Sequence, residues 1–128
     1  MILDHIGFPV SDYQRAKEFY QKALAPLGIT LMHEISAELT GGEAHCGFGR
    51  DGKPDFWISS GAKVAPSLHV AFVAADRQSV DRFYQAAIAA GGADNGAPGL
   101  RPIYHPNYYG AFVRDPDGHN IEAVCHHG

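Results

Sequence analysis

Cysteine is scarce in this chain, with only Cys46 and Cys125 among 128 residues. Two thiols could close one bridge, but nothing marks an oxidising compartment, so free buried thiols are expected. Charge is also sparse, at 19% against roughly 25% in an average domain. Lys and Arg total 10 against 14 Asp and Glu, a net charge of −4, and no basic run exceeds two residues. A row of phosphates would find little to neutralise it, which excludes nucleic acid as a partner. No apolar run approaches the roughly 18 residues that span a bilayer, and Met1-Ile2-Leu3-Asp4-His5 lacks a positive leader. A cytoplasmic protein without a membrane partner is expected.

What is present suits one packed domain over residues 1–128, with 45% hydrophobic and 11% aromatic residues. Histidine, at 8, and glycine, at 15, stand out; they invite a metal or acid–base hypothesis and imply many turns.

The chain repeats itself when residue n is laid beside residue n+64. His5 falls on His69, Phe8 on Phe72, Asp12 on Asp76, Phe19-Tyr20-Gln21 on Phe83-Tyr84-Gln85, and Gly28 on Gly92. Without a gap, Phe48 then meets Phe112 and Arg50-Asp51 meets Arg114-Asp115. The pattern reads as a duplication, with module one over about 1–61, a connector at 61–67 and module two over about 68–128.

Each half opens with an alternating apolar strand, at 2–10 and 68–73, followed by a helix. Ala16, Phe19, Tyr20, Ala23 and Leu24 recur at i, i+3, i+4, i+7 and i+8, as do Val80, Phe83, Tyr84, Ala87 and Ile88. Ser11 or Asp12 and Asp76 offer N-caps, and Gly28 and Gly91 or Gly92 stop the helices. Strands follow near 29–34, 45–49 and 56–60, then within 92–97, at 109–114 and at 120–125. The order is βαβββ, twice, an α+β fold. Asp115-Pro116-Asp117-Gly118 has the composition of a type I turn before the last strand.

Alternation on the first strand of each half puts the bulky residues toward the helix and leaves His5 and His69 on the other face, at equivalent positions. Approximate two-fold packing would bring such residues to a shared cavity. Glu122 sits among Ile121, Ala123 and Val124, and its n−64 partner is Ile58, so the repeat is broken there. A carboxylate on an apolar strand must be solvated, paired or bound to a cation. His5, His69 and Glu122 together form a 2-His-1-carboxylate set, which leaves positions open for substrate on Fe, Mn, Ni or Zn.

The duplicated unit, with Asp4-His5-Ile6, Leu68-His69-Val70 and the run from Phe112 through Arg114-Asp115-Pro116-Asp117-Gly118 to Ile121-Glu122, resembles the vicinal oxygen chelate superfamily. That superfamily includes glyoxalase I, bleomycin-resistance proteins, fosfomycin-resistance transferases and extradiol dioxygenases. The resemblance implies two βαβββ modules curled around a divalent ion that chelates adjacent oxygens of a small substrate, in a homodimer. Glyoxalase I adds a fourth protein ligand on the strand holding Ile58, which argues against that activity here. The extradiol signature has a tyrosine where this chain has Phe112; Tyr104, Tyr108 and Tyr109 are nearby but at the wrong spacing. Fosfomycin transferases need a basic cluster, whereas the second half offers only Arg77, Arg82, Arg101 and Arg114.

Glu122 and His105 are the candidates for acid–base work, and Phe56, Ile58 and Tyr109 for substrate contact. His45 and Cys46 could line the cavity, although His33, His45 and His119 read as ordinary polar positions. Trp57 is expected in the core under a helix, and Cys125-His126-His127 is a tail able to pick up stray metal. The function implied is metal-dependent catalysis, of dioxygenase or of lyase or isomerase type. The alternative is a metal-free protein of the bleomycin-resistance type that binds or sequesters a small molecule.

Overall fold

The apolar stripes of the two helices determine what each sheet must cover. In the computed structural model, which describes residues 3–128, β1 (Ile6–Val10) is followed by α1 (Tyr13–Leu24), β2 (Thr30–Ile35), a one-turn α2 (Ala37–Thr40), β3 (His45–Arg50) and β4 (Lys53–Ser60). Module two repeats this with β5 (His69–Val73), α3 (Arg77–Ala89), β6 (Ala93–Leu100), β7 (Tyr109–Arg114) and β8 (Asn120–Cys125). The expected strand start at Ile2 lies outside the described residues, and the one-turn α2 adds an element to the expected order. Asp12 caps α1 by accepting from the Arg15 N–H at 3.1 Å, and Asp76 caps α3 by accepting from the Ser79 N–H at 2.7 Å.

Each module forms a four-stranded mixed sheet, ordered β1-β4-β3-β2 and β5-β8-β7-β6, and neither closes into a barrel. All five stripe residues of α1 are buried, and α3 buries Val80, Phe83 and Ala87. Ile88 of the expected α3 stripe stays 36% exposed, and the Tyr84 hydroxyl donates to Asp94 at 3.0 Å. The helices touch each other, so one apolar core runs through both modules, with Phe19, Tyr20, Phe48 and Phe56 on one side and Phe83, Val113 and Ile121 on the other. Both cysteines are free and buried within it.

The turn at 115–118 does more than reverse the chain. Asp115 is 5% exposed and accepts hydrogen bonds from the Tyr20 hydroxyl, the Asp117 N–H and the His119 N–H. Asp117 accepts from the Ser11 N–H at 2.9 Å and from the Ser11 hydroxyl. Ser11 therefore fastens module one to module two instead of capping α1. His119, expected to be an ordinary polar residue, is wholly buried at this junction. Its Nδ1 accepts from the Leu68 N–H at 3.0 Å and its ring stands edge-on to Phe8.

The strand registers correct the ungapped repeat. Gly7 pairs with Trp57 and Trp57 with Gly47, whereas the same places in module two are taken by Ala71, Glu122 and Phe112. The first strands and helices do correspond at a separation of 64, but β3 and β4 correspond to β7 and β8 at 65, and β2 to β6 at 63. Because side chains alternate faces, an odd slip exchanges inside for outside. Phe48 therefore lies in the core while its sequence partner Phe112 lies on the helix-free face, and the true counterpart of Glu122 is Trp57, not Ile58. Trp57 is half-buried on the helix-free face, its ring over Gly47 and 6.1 Å from that of His33, and not under a helix.

Candidate functional site

One rung across the helix-free face of module two reads Gly96, Phe112, Glu122, Ala71. His69 lies two residues before Ala71 on β5 and so projects from the same face. Glu122 is 1% exposed, and a carboxylate so deeply placed needs strong hydrogen-bond partners. It has two: Oε1 lies 2.8 Å from His69 Nε2, and Oε2 accepts from the Tyr108 hydroxyl. Gly110 makes room for this, since a Cβ there would stand 3.2 Å from Tyr108 Cε1 and 3.4 Å from Glu122 Oε2. Burial, then the hydrogen bond to Glu122, raises the Tyr108 pKa well above its usual value, so the phenol is held as a donor.

His5 is placed otherwise. Its Nδ1 bonds Asp4 at 2.7 Å, and Lys53 completes the cluster at 3.0 Å from the same carboxylate oxygen. The His5 bond, then Lys53, holds Asp4 below the usual carboxylate range. His5 borders the helix-free face of module one with Gly7, His45, Trp57 and Ser59. It also borders a cavity of about 270 Å³ between β1 and β5, whose far wall includes His69, Ala71 and Val73. Among the described residues no group of three His, Cys, Asp or Glu side chains is close enough to hold an ion. Of the expected trio, one chain brings His69 and Glu122 together and leaves His5 apart. An imidazole nitrogen and a carboxylate oxygen 2.8 Å apart are nonetheless close to the ~3 Å between neighbouring ligands of one divalent ion, given metal–ligand bonds of about 2.0–2.2 Å.

The other expected residues divide by strand face. Phe56 and Ile58 are 1% and 0% exposed in the core, and Phe56 also borders the cavity between β1 and β5. Tyr109 faces α3, where its hydroxyl donates to Asp81 at 2.6 Å beneath the Arg77 guanidinium. None of the three lies beside Glu122, because alternation turns their side chains toward the helices. His105 accepts from the Asn107 N–H through Nδ1 at 3.1 Å and sits 2.7 Å from His126 Nδ1 through Nε2. Its ring packs edge-on against Tyr108, so Tyr108, not His105, reaches Glu122. His45 borders the module-one face, while Cys46 is fully buried.

Three residues on the helix-free faces have places there that the sequence did not assign: Tyr108, weighed only as a stand-in for the tyrosine that Phe112 replaces, Arg101, and Trp57. Pairing β7 with β8 through the turn at 115–118 would have found the first, since it puts Phe112, Gly110 and then Tyr108 on the side of Glu122.

A family model for the Glyoxalase/Bleomycin resistance protein/Dioxygenase superfamily matches residues 2–123. No curated protein matches the chain. Among solved structures, a glyoxalase/bleomycin resistance protein from Albidiferax ferrireducens T118 superposes with a TM-score of 0.76 at 24% identity, over 98% of this chain and 99% of that one. A Glu-to-Gln mutant of the fosfomycin resistance protein FosX from Listeria monocytogenes, complexed with Mn(II) and 1S,2S-dihydroxypropylphosphonic acid, has a TM-score of 0.70 at 19% identity, over 98% and 93%. A mutant of glyoxalase I from Zea mays has a TM-score of 0.72 at 23% identity; the match takes in 95% of this chain but 46% of that one. Among the described residues no helix is long and apolar enough to cross a membrane. With its two βαβββ sheets and a model match over nearly its whole length, the chain belongs to the Glyoxalase/Bleomycin resistance protein/Dioxygenase superfamily.

Proposed function

We propose that this protein is a divalent-metal-dependent enzyme acting on a small substrate with adjacent oxygens, by dioxygenase or by lyase or isomerase chemistry. The observation that carries the reading is the His69–Glu122 pair, two ligand-type atoms 2.8 Å apart on an open sheet face with the carboxylate buried. FosX, a relative in fold, was solved with Mn(II) and a vicinal diol, which supports the same chemistry here. A bound divalent ion supplies Lewis acidity to the substrate's oxygens. The chain's own residues do the rest: His69 and Glu122 hold the ion, and Tyr108 orients Glu122 from its other oxygen. His5 serves as third ligand from a second copy of the chain, whose module-one face covers the module-two face of the first, so the working unit is a homodimer. Trp57, at the place equivalent to Glu122, offers no fourth ligand and favours chemistry other than that of glyoxalase I.

The second reading, a metal-free binder of small molecules, is favoured by the absence of a three-donor group among the described residues of one chain. Elemental analysis of untagged protein separates the two. About one equivalent of Fe, Mn, Ni or Zn per chain, lost in Glu122→Ala and in His5→Ala, is expected. No metal after reconstitution would select the binder, and metal retained in His5→Ala would remove His5 from the ligands. Sedimentation is expected to show a dimer.

A further inference from the structure

Beside Phe112, on the same face as Glu122, lies a cation that neither the fold nor the metal reading uses. Arg101 follows directly on β6, and its backbone N–H donates to the Tyr108 carbonyl at 2.7 Å, extending the β6–β7 pairing by one step. The side chain turns back over the sheet, with Cζ 5.4 Å from the centre of the Phe112 ring. Two glycines make this possible. A Cβ on Gly99 would stand 3.1 Å from Arg101 Nη1, and one on Gly96 would stand 3.3 Å from Nη2 and 2.9 Å from Phe112 Cδ1. Gly96 also has φ of 147°, a conformation other residues rarely adopt.

The guanidinium is thus seated in a fitted groove, half-buried, yet no Asp or Glu among the described residues pairs with it. It donates to the Ala97 carbonyl at 2.7 Å from Nη2 and makes only a long contact, 3.5 Å, from Nη1 to that of Leu100. Most of its five N–H groups are left for another acceptor. A half-buried cation with that much unused donor capacity suits an anion with two oxygens in one plane or one tripod. Position shows what else the anion-bearing molecule would touch. Phe112 lies on the strand between that of Glu122 and the end of β6 that carries Arg101; its ring is 5.4 Å from the guanidinium carbon on one side and 6.4 Å from the His69 ring on the other. A small molecule lying on Phe112 can reach the guanidinium with one end and the His69–Glu122 pair with the other.

We infer that Arg101 is a specificity-determining residue and that the substrate carries an anionic oxyacid group, a carboxylate or a phosphonate, held by its guanidinium at the far end from the adjacent oxygens. The inference rests on the proposed function for where those oxygens go, but the anion subsite itself needs no metal.

The test is therefore run first on metal-free protein, by following amide ¹H–¹⁵N shifts during titration with benzoate, phenylphosphonate and neutral benzamide. Benzoate or phenylphosphonate is expected to move the amides of Gly96, Gly99 and Phe112, and benzamide to leave them in place; the tighter of the two anions identifies the oxyacid. Arg101→Gln should weaken that binding about tenfold or more, the scale of a lost charge-assisted pair, with the rest of the spectrum unchanged. Arg101→Lys, which keeps the charge but not the planar fork, should retain part of it. Absence of shifts with both anions, or equal affinity in Arg101→Gln, overturns the inference. Metal content is measured separately: anion shifts in a protein that takes up no metal would leave the subsite standing and bring down the metal reading alone.

Discussion

Asp115 sits almost out of water with three donors aimed at it, and only one of them, the Tyr20 hydroxyl, comes from the other module. Removing that donor leaves a buried carboxylate short of a partner, so Tyr20→Phe should cost about 1–3 kcal/mol in urea unfolding at neutral pH. The same bond sets a pH dependence. Burial, then the charge of Asp115, raises the Tyr20 phenol well above its ordinary 10.0 in the folded protein. A group whose folded pKa is raised stabilises fully below the unfolded value, and that contribution is lost as pH climbs past it. Wild-type stability should therefore fall as pH rises above about 10, and Tyr20→Phe should fall less steeply; equal slopes in the two proteins would detach the effect from Tyr20. At the site, Tyr108→Phe deprives Glu122 Oε2 of its donor. It should destabilise the metal-free protein by about 1–3 kcal/mol, read by thermal or urea unfolding.

The elements were legible because their periodicity is local. The stripe from Ala16 to Leu24 and the capping aspartates 12 and 76 declare the helices within a dozen residues, and the alternation around His5 and His69 declares the first strands. The site was legible in part for the same reason: Glu122 stands out as a lone carboxylate among apolar neighbours. What could not be read was register, which depends on how strands pair across loops. The ungapped repeat set Glu122 against Ile58, but a slip of one residue puts Trp57 there and turns Phe56 and Ile58 to the core side, while Tyr109, three residues from Phe112 on β7, faces the helix by alternation alone. The two positions predict opposite outcomes for the same substitution. Ile58→Glu buries an unpaired carboxylate in the core and should abolish the cooperative thermal transition, whereas Trp57→Glu lies on the helix-free face, outside the core, and should retain it. If both variants fold, or if only Ile58→Glu does, the register is wrong.

Across the whole molecule, the two modules share one core and are clamped together where Tyr20 and Ser11 meet the turn at 115–118, and they should unfold together. Trp57 is the only tryptophan and belongs to module one, so its fluorescence reports that module, while far-UV circular dichroism reports both. Phe83→Ala, in module two, should lower stability by about 3–5 kcal/mol. It should move the Trp57 midpoint in urea as far as the dichroism midpoint, as two-state behaviour requires. A Trp57 transition that stayed in place would mean that module one stands alone.

The distance along the chain between clamp partners bears on how the protein is made. Tyr20 precedes Asp115 by 95 residues, and Ser11 precedes Asp117 by 106. During synthesis from the N-terminus, module one leaves the ribosome with its tyrosine hydroxyl and its β1–α1 corner still without their acceptors. Final locking of the first half waits for nearly the last residues of the second, so a nascent chain stalled before Asp115 should remain open to protease at Ser11 long after its own strands have emerged.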